Sequence, residues 1–159
     1  MNDPHGAPDI KRPLGWGEFL VGGLYLRHIL SLPVEHDPAR ARELGLEVPL
    51  DLSGLLALDL ARRGNQPWLR PVLAALAHAE GLGMPERVIT YIAPRLTPPS
   101  KPRGEAVPPE DLRKALDQAR FYLRRDIDTN ATTLYRLFHE GLAASLRADP
   151  YGSPKEGAV

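Results

Sequence analysis

Apolar residues recur at helical spacing through most of the first 96 residues of the chain. In the stretch 16–32 they follow the i, i+3, i+4, i+8 pattern of one helix face: Val21, Leu24, Tyr25 and Ile29. Further apolar side chains (Phe19, Leu26 and Leu30) predict that this helix is buried on more than one side. Gly22 and Gly23 lower its intrinsic stability, and we expect another helix to approach closely there.

Three more amphipathic helices are predicted at 50–63, 67–81 and 84–96, each with leucine, valine or isoleucine on one face. Pro71 is expected near the start of the second of these, or as a kink in it, and Pro85 suits the first turn of the third. The intervening 33–49 segment is predicted to be a loop with at most a short helical turn at about 39–44. Short amphipathic helices joined by tight loops are typical of a helical bundle.

The pattern changes at 97–109, where five prolines and no periodicity indicate a linker or an extended crossing segment. A fifth helix is predicted at 110–119. Alternation at 121–127, turn residues at 128–131 and a β-rich stretch at 132–137 favour a hairpin, although apolar spacing from Leu112 to Ile127 also suits one long helix. A last helix at 138–147 would complete a unit compatible with a small winged helix, which in its complete form has another helix before the hairpin.

The predicted fold class is therefore mainly α, a bundle of short helices followed by a small winged-helix-like unit with one β-hairpin. Its predicted divisions are a flexible tail at 1–13, a helical bundle domain at 14–97, a Pro-rich linker at 98–108, a winged-helix-like domain at 109–149 and a second flexible tail at 150–159.

Charge and composition reduce the number of functions to be considered. The 20 Lys and Arg residues balance the 20 Asp and Glu residues, and strong binding to a polyanion needs a basic excess on some surface. Nucleic acid is therefore not the expected partner. The sequence contains no cysteine, no apolar run of bilayer length and no secretory leader pattern, so we expect a cytoplasmic protein that does not engage a membrane.

Motifs of common enzymes are missing from the sequence. It contains no G-x-x-x-x-G-K-[ST] phosphate loop, no G-x-S-x-G elbow, no H-E-x-x-H pair and no EF-hand loop. No catalytic residue is predicted, and we do not expect an enzyme.

Several histidines and acidic residues are candidate metal ligands. Glu35, His36 and Asp37 are consecutive in a polar loop and point in different directions, with His28 eight residues earlier. His78 and Glu80 are two residues apart on a helix and do not face each other. No metal site is predicted.

Arg124 and Arg125 in the predicted hairpin are candidates for phosphate contact. Neighbouring strand residues point to opposite faces, and Asp126 and Asp128 offset the positive charge. A solvated surface is the favoured interpretation.

His139 is the one histidine in a suggestive place, where the second predicted strand turns into the last helix. At a helix N-terminus its imidazole would adjoin free backbone N–H groups and the positive end of the helix dipole, which suits an anion. The sequence by itself favours a structural or capping role for this residue.

Segments of the chain resemble a family. "YRLFHEGLAASLRADP" (135–150) is similar to the end of the winged-helix domain in bacterial STAND signal-transduction ATPases, the group that contains the NACHT and NB-ARC proteins. "FLVGGLYLRHIL" (19–30) resembles the helix after their ATPase core. "PLDLSGLLALDLARR" (49–63) and "WLRPVLAALAHAEGLGMPERVI" (68–89) resemble their post-core helical domain. The ordered resemblance covers about residues 15–149.

The resemblance implies a non-catalytic regulatory module. In that family the helical and winged-helix domains close over a bound nucleotide, and a histidine of a Met-His-Asp motif reaches the β-phosphate. His139 matches that histidine, with Phe138 in place of Met and Glu140 in place of Asp. The P-loop core of the family is absent from the sequence, so ADP or ATP would bind only when a partner core completes the site, and the chain would otherwise be a truncated remnant.

Two other functions stay open. A winged-helix DNA-binding regulator would need a basic recognition helix, and the candidate helices are balanced in charge. A helical protein–protein adaptor would bind a partner protein without any dependence on nucleotide.

Overall fold

Helices account for most of the described residues. The computed structural model describes residues 16–34, 36–46, 51–63, 66–99 and 104–152. Within those residues there are seven α-helices, two short 3₁₀ turns and a three-stranded antiparallel sheet, which confirms the predicted fold class. The predicted tail at 1–13 lies outside the described residues, as do residues 153–159 of the second tail.

The first three helices are α1 (Trp16–Ser31), α2 (Pro38–Leu46) and α3 (Leu52–Arg62). The prediction of α1 and α3 is confirmed, whereas the expectation of at most a short helical turn at about 39–44 is wrong, because α2 is a helix of 9 residues. Asp51 caps α3 by accepting a hydrogen bond from the Gly54 N–H at 3.3 Å. Leu55 and Leu56 of α3 are buried with Leu20 and Leu24 of α1.

The outer side of α1 differs from the prediction. Leu26 and Leu30 are 55% and 77% exposed, so burial on more than one side is wrong for these two residues. Among the described residues, a Cβ added at Gly22 would have no neighbour within 4 Å, and one at Gly23 would meet only the Phe121 ring, at 3.6 Å. The expected close approach of another helix at this glycine pair is therefore wrong as well, because a single aromatic side chain covers Gly23.

Helix α4 (Leu69–Leu76) is buried at every position except Arg70. Pro71 lies in its first turn, where a missing N–H costs no helical hydrogen bond. A two-residue strand, β1 (Met84–Pro85), and α5 (Glu86–Ile92) follow. The strand was not predicted, and Pro85 is the N-cap of α5 rather than a residue of its first turn.

The chain continues through a 3₁₀ turn (Ala93–Leu96) to α6 (Pro109–Gln118), a second 3₁₀ turn (Arg120–Tyr122), β2 (Leu123–Ile127), β3 (Thr133–Leu137) and α7 (Glu140–Ala148). This order of elements matches the predicted helix, hairpin and final helix. The alternative of one long helix is wrong, since α6 ends before Ala119 and the backbone becomes extended at Leu123.

Strand β3 occupies the centre of the sheet, in the order β1-β3-β2. In the β2–β3 hairpin, Arg125 pairs with Tyr135, and on the other side of β3 the same Tyr135 pairs with Met84. Helix α5 precedes α6 and supplies the additional helix expected of a complete winged-helix unit. Residues before and after the Pro-rich stretch thus share one sheet.

Packing is continuous across the predicted division at 98–108. Val107, inside that stretch, is buried against residues of both sides, among them Ile89 and Leu112. Its N–H donates to the Thr90 carbonyl at 3.1 Å. A second cluster joins α1, α3 and α7, and the partly buried Leu123 and Leu137 contact both clusters.

Candidate functional site

His139 lies where the sequence predicted it, between β3 and α7. It is the N-cap of α7, with an extended backbone (φ −134°, ψ 130°), and its Nδ1 accepts the Gly141 N–H at 2.9 Å. A neutral imidazole that accepts at Nδ1 carries its proton on Nε2. Within the described part of the chain Nε2 makes no hydrogen bond, so this edge of the ring is available to a ligand.

The backbone around His139 differs from the prediction. The Leu142 and Ala143 N–H groups donate to the His139 carbonyl, at 3.1 and 3.2 Å, and the Gly141 N–H is taken by the imidazole. The expected free backbone N–H groups are therefore bonded at these three positions. The imidazole caps the helix itself, and what it can offer an anion is a single donor, the Nε2–H.

The surroundings of His139 are exposed. Phe138 is 49% exposed, and its ring centroid lies 6.4 Å from that of His139. Glu140 is exposed too, and its carboxylate is bonded by Arg147, which also donates to the Ala77 carbonyl at 2.6 Å. The imidazole edge, the phenyl ring and the carboxylate form a surface that another molecule can reach.

The other histidines are scattered. His36 and His78 are exposed, and His28 Nδ1 is buried without a hydrogen-bond partner in the described chain. Glu35 lies outside the described residues. Among the residues that the structure describes, no three His, Asp or Glu side chains gather in a way that could hold a metal ion.

Arg124 and Arg125 point to opposite faces of the hairpin, as the strand alternation predicted. Arg125 pairs in register with Tyr135, and Arg124 with Arg136. Asp126 lies next to Arg136, with 3.6 Å between Oδ2 and Nε, which offsets charge on the outer face.

A buried polar network was missed by sequence reasoning. Asp59 on α3 is 3% exposed. Its carboxylate accepts hydrogen bonds from the Tyr122 hydroxyl and from Arg63 Nε, the latter at 2.9 Å, and Arg27 Nη2 lies 3.6 Å away. Arg63 also donates to the Gln118 carbonyl at 2.7 Å. The network ties α1 and α3 to the end of α6 and the entry to the hairpin.

The network is structural in character. Burial raises the pKa of Tyr122 far above its ordinary value, and the hydrogen bond to Asp59 adds to this rise. The Asp59 charge is met by two guanidinium groups and a neutral phenol. Asp59 lies in α3 and Arg63 is its C-cap, four residues later, a spacing that is visible in the sequence. Tyr122 is 63 residues away from Asp59, and no local pattern reveals it.

Comparison with known proteins gave no significant match to a protein-family model, to a characterised protein or to a solved structure. The likeness to STAND proteins rests on the sequence segments alone. No helix in the described ranges has the length and apolar content to cross a bilayer.

Proposed function

We propose that this chain is a non-catalytic regulatory module, like the post-ATPase arm of a STAND protein, that acts on a P-loop core carried by a partner chain. The observation that carries the proposal is the position of His139, which caps the helix after the hairpin and, among the described residues, leaves Nε2 without a hydrogen bond on a half-buried ring beside Phe138. In the family, a histidine between a hairpin and a final helix reaches the nucleotide.

The geometry suits half of a nucleotide site. One neutral imidazole N–H is a single hydrogen-bond donor, whereas a diphosphate carries several negative oxygens that need several donors and a cation. The N–H groups of Gly141, Leu142 and Ala143 next to the ring are already bonded. We therefore expect that the chain does not retain ADP or ATP by itself and that the partner core supplies most of the phosphate contacts.

The same arrangement couples the orientation of the His139 ring to the position of helix α7. The Nδ1 acceptor holds the N-terminus of α7, and α7 packs on α3 and α4 through the buried Leu142 and Leu146. A phosphate oxygen at Nε2 would bond a ring whose orientation the cap already fixes. This coupling supports the view that the arm senses the nucleotide through the position of the last helix.

A cytoplasmic location is part of the proposal, because the nucleotides of the expected core are cytoplasmic ligands. The alternative of a truncated remnant would leave the same fold without a partner, and a remnant would show no partner-dependent effect of His139.

A winged-helix DNA regulator is the second candidate, favoured by the complete β1-β3-β2 sheet with α5 and α6 in front of the hairpin. Its charge distribution argues against it, because Arg120 of the α6 end pairs with Asp117 and Arg136 of the hairpin lies beside Asp126. Duplex DNA needs a row of uncompensated cations.

A first experiment separates these functions. The purified chain is titrated with fluorescent mant-ADP and, separately, with labelled duplex DNA at low salt. The proposal expects no binding in either titration and expects mant-ADP to be retained only after a P-loop partner chain is added. Salt-dependent DNA binding would favour the regulator, and partner binding that ignores ADP and ATP would favour a plain adaptor.

A further inference from the structure

A cleft between α6 and β2 has the composition of a binding site that the proposed function does not use. It has a volume of about 190 Å³. Its walls come from α5, α6, the turn after α6 and the two hairpin strands, and they include Arg113, Leu116, Arg120, Leu123, Arg125 and Tyr135. Three arginines thus line one cavity together with two leucines and a tyrosine.

Four polar residues that line the cleft bond to one another in two pairs. The Tyr135 hydroxyl donates to Glu86 Oε1 at 3.0 Å, and Arg120 pairs with Asp117. These contacts leave Arg113 and Arg125, which are exposed and make no hydrogen bond or ion pair with any described residue. Arg113 of α6 and Arg125 of β2 line the same cleft and can together receive one anionic group.

We infer that this cleft binds the oxyanion of an acidic side chain in a partner protein, with Arg113 and Arg125 as the recognising residues. A guanidinium offers paired N–H donors whose geometry matches a carboxylate or a phosphoryl group. Leu116 and Leu123, next to the two arginines, would cover an apolar neighbour of that acidic residue.

The size of the cleft favours a side chain over a free small molecule. Pockets that enclose small molecules measure roughly 300–1,000 Å³, and this cleft is smaller. It can hold the end of one acidic side chain and part of a neighbour, while the rest of the ligand lies on the surface. A peptide segment of a folded partner meets this requirement.

The charge of the same face argues for a peptide over nucleic acid. Glu86 and Asp117 line the cleft, and Glu110 is exposed at the start of α6. A peptide brings one or two acidic groups that the unpaired arginines can satisfy. A duplex brings a continuous row of phosphates that these carboxylates would repel.

This inference goes beyond the proposed function, because it concerns residues other than His139 and requires no nucleotide. The two can fail separately. Variants of Arg113 and Arg125 leave the His139 cap unchanged, and variants of His139 leave the cleft unchanged.

The test uses the full chain and a labelled synthetic peptide that alternates glutamate with leucine. A second peptide carries glutamine in place of glutamate, and a third carries phosphoserine, so that carboxylate and phosphoryl groups are compared. We expect the acidic peptides to bind and to shift the backbone NMR signals of Arg113, Arg125 and Tyr135, and the glutamine peptide to have no effect.

Charge-matched variants locate the binding. Arg113→Gln and Arg125→Gln should each weaken binding about tenfold, as the loss of a charge-assisted hydrogen bond implies. Lys114→Gln removes the same charge from α6 at an exposed position outside the cleft lining and should change the affinity less than about twofold. Circular dichroism checks that each variant stays folded.

Four results would overturn the inference. The acidic peptides fail to bind, or Lys114→Gln weakens binding as much as the two cleft variants do. In the third, duplex DNA binds and is lost in the Arg113 and Arg125 variants, which would assign the cleft to nucleic acid. Inorganic phosphate that produces the same NMR shifts at comparable concentration would assign it to a free oxyanion instead of a peptide.

Discussion

The Tyr122 hydroxyl donates a hydrogen bond to the buried carboxylate of Asp59, and this contact joins the start of the hairpin to α3. The carboxylate is also held by Arg63 and lies near Arg27. Removing one member of a buried charged group leaves the other charges desolvated without a partner, which costs more than the loss of the contact itself.

We therefore expect Asp59→Ala to lower the free energy of unfolding by about 3–5 kcal/mol. Asp117→Ala is the control, because Asp117 also pairs with an arginine but is exposed, and exposed pairs contribute about 0–1 kcal/mol. Urea denaturation followed by circular dichroism measures both. Equal losses in the two variants would show that the Asp59 network does not stabilise the fold.

The raised pKa of Tyr122 predicts loss of stability at high pH. Below about pH 10 the phenol is protonated in both the folded and the unfolded chain, so its contribution is fully present. Above that pH the unfolded chain releases the proton, whereas burial and the Asp59 hydrogen bond keep it on folded Tyr122. Stability should therefore fall as pH rises, by up to about 1.4 kcal/mol per pH unit from this residue.

Tyr122→Phe removes this contribution. Between about pH 10.5 and 11.5 its unfolding free energy should fall less steeply than that of the wild type. Tyr91→Phe, which changes an exposed ring, should keep the wild-type slope. Parallel curves for the wild type and Tyr122→Phe would contradict the assignment of a folded-state phenol proton to Tyr122.

Gly83 permits the pairing of β1 with β3. Its φ is +127°, and an added Cβ would lie 2.6 Å from the Tyr135 carbonyl oxygen. Gly83→Ala should lower the free energy of unfolding by about 2 kcal/mol or more, because it combines backbone strain with a clash against the central strand.

Gly22→Ala is the matched substitution at a glycine without these constraints. Gly22 lies in α1, where no atom of the described part of the chain comes within 4 Å of the added Cβ, and alanine should stabilise the helix by about 0.5–1 kcal/mol. The two variants are compared by their urea midpoints. A stabilising Gly83→Ala would mean that β1 does not pair with Tyr135 as described.

The cap by His139 makes a separate prediction for α7. His139→Ala should lower stability by about 1 kcal/mol, and His139→Asn, which keeps a capping oxygen, should lose less. Gly141→Ala should also destabilise, since its Cβ would lie 3.0 Å from the imidazole Nδ1 and Cε1 atoms. Thermal melting of the three variants checks this order, and no loss in His139→Ala would contradict the capping role.

Sequence patterns predicted the fold where the apolar spacing was regular. The faces of α3 and α6 and the alternation of β2 each gave the correct element. The exposed Leu26 and Leu30 were misjudged because apolar spacing shows which side chains are apolar but not which helix faces have a neighbour. Strand β1 was missed because two residues carry no period, and its pairing depends on Tyr135, some fifty residues later.

The candidate site was predicted only where it depends on local sequence. The junction that holds His139 is local, so turn and strand signals located it. The occupation of the neighbouring N–H groups was not visible, since it depends on the rotamer of the imidazole and on the first turn of α7. The Asp59 network and the α6–β2 cleft depend on contacts between distant segments, and their residues are unremarkable in sequence.

The central claim is that the His139 imidazole reads a nucleotide held by a partner core. The chain is reconstituted with a P-loop partner, loaded with mant-ADP, and chased with excess unlabelled ADP. His139→Asn is the decisive variant, because it keeps a cap on α7 but lacks the Nε2–H. The account predicts that ADP release accelerates in complexes with His139→Asn and with His139→Ala alike, while Lys114→Gln, at an exposed position outside the α6–β2 cleft, leaves it unchanged. If the His139→Asn complex releases ADP at the wild-type rate, the claim is contradicted and His139 is a helix cap alone.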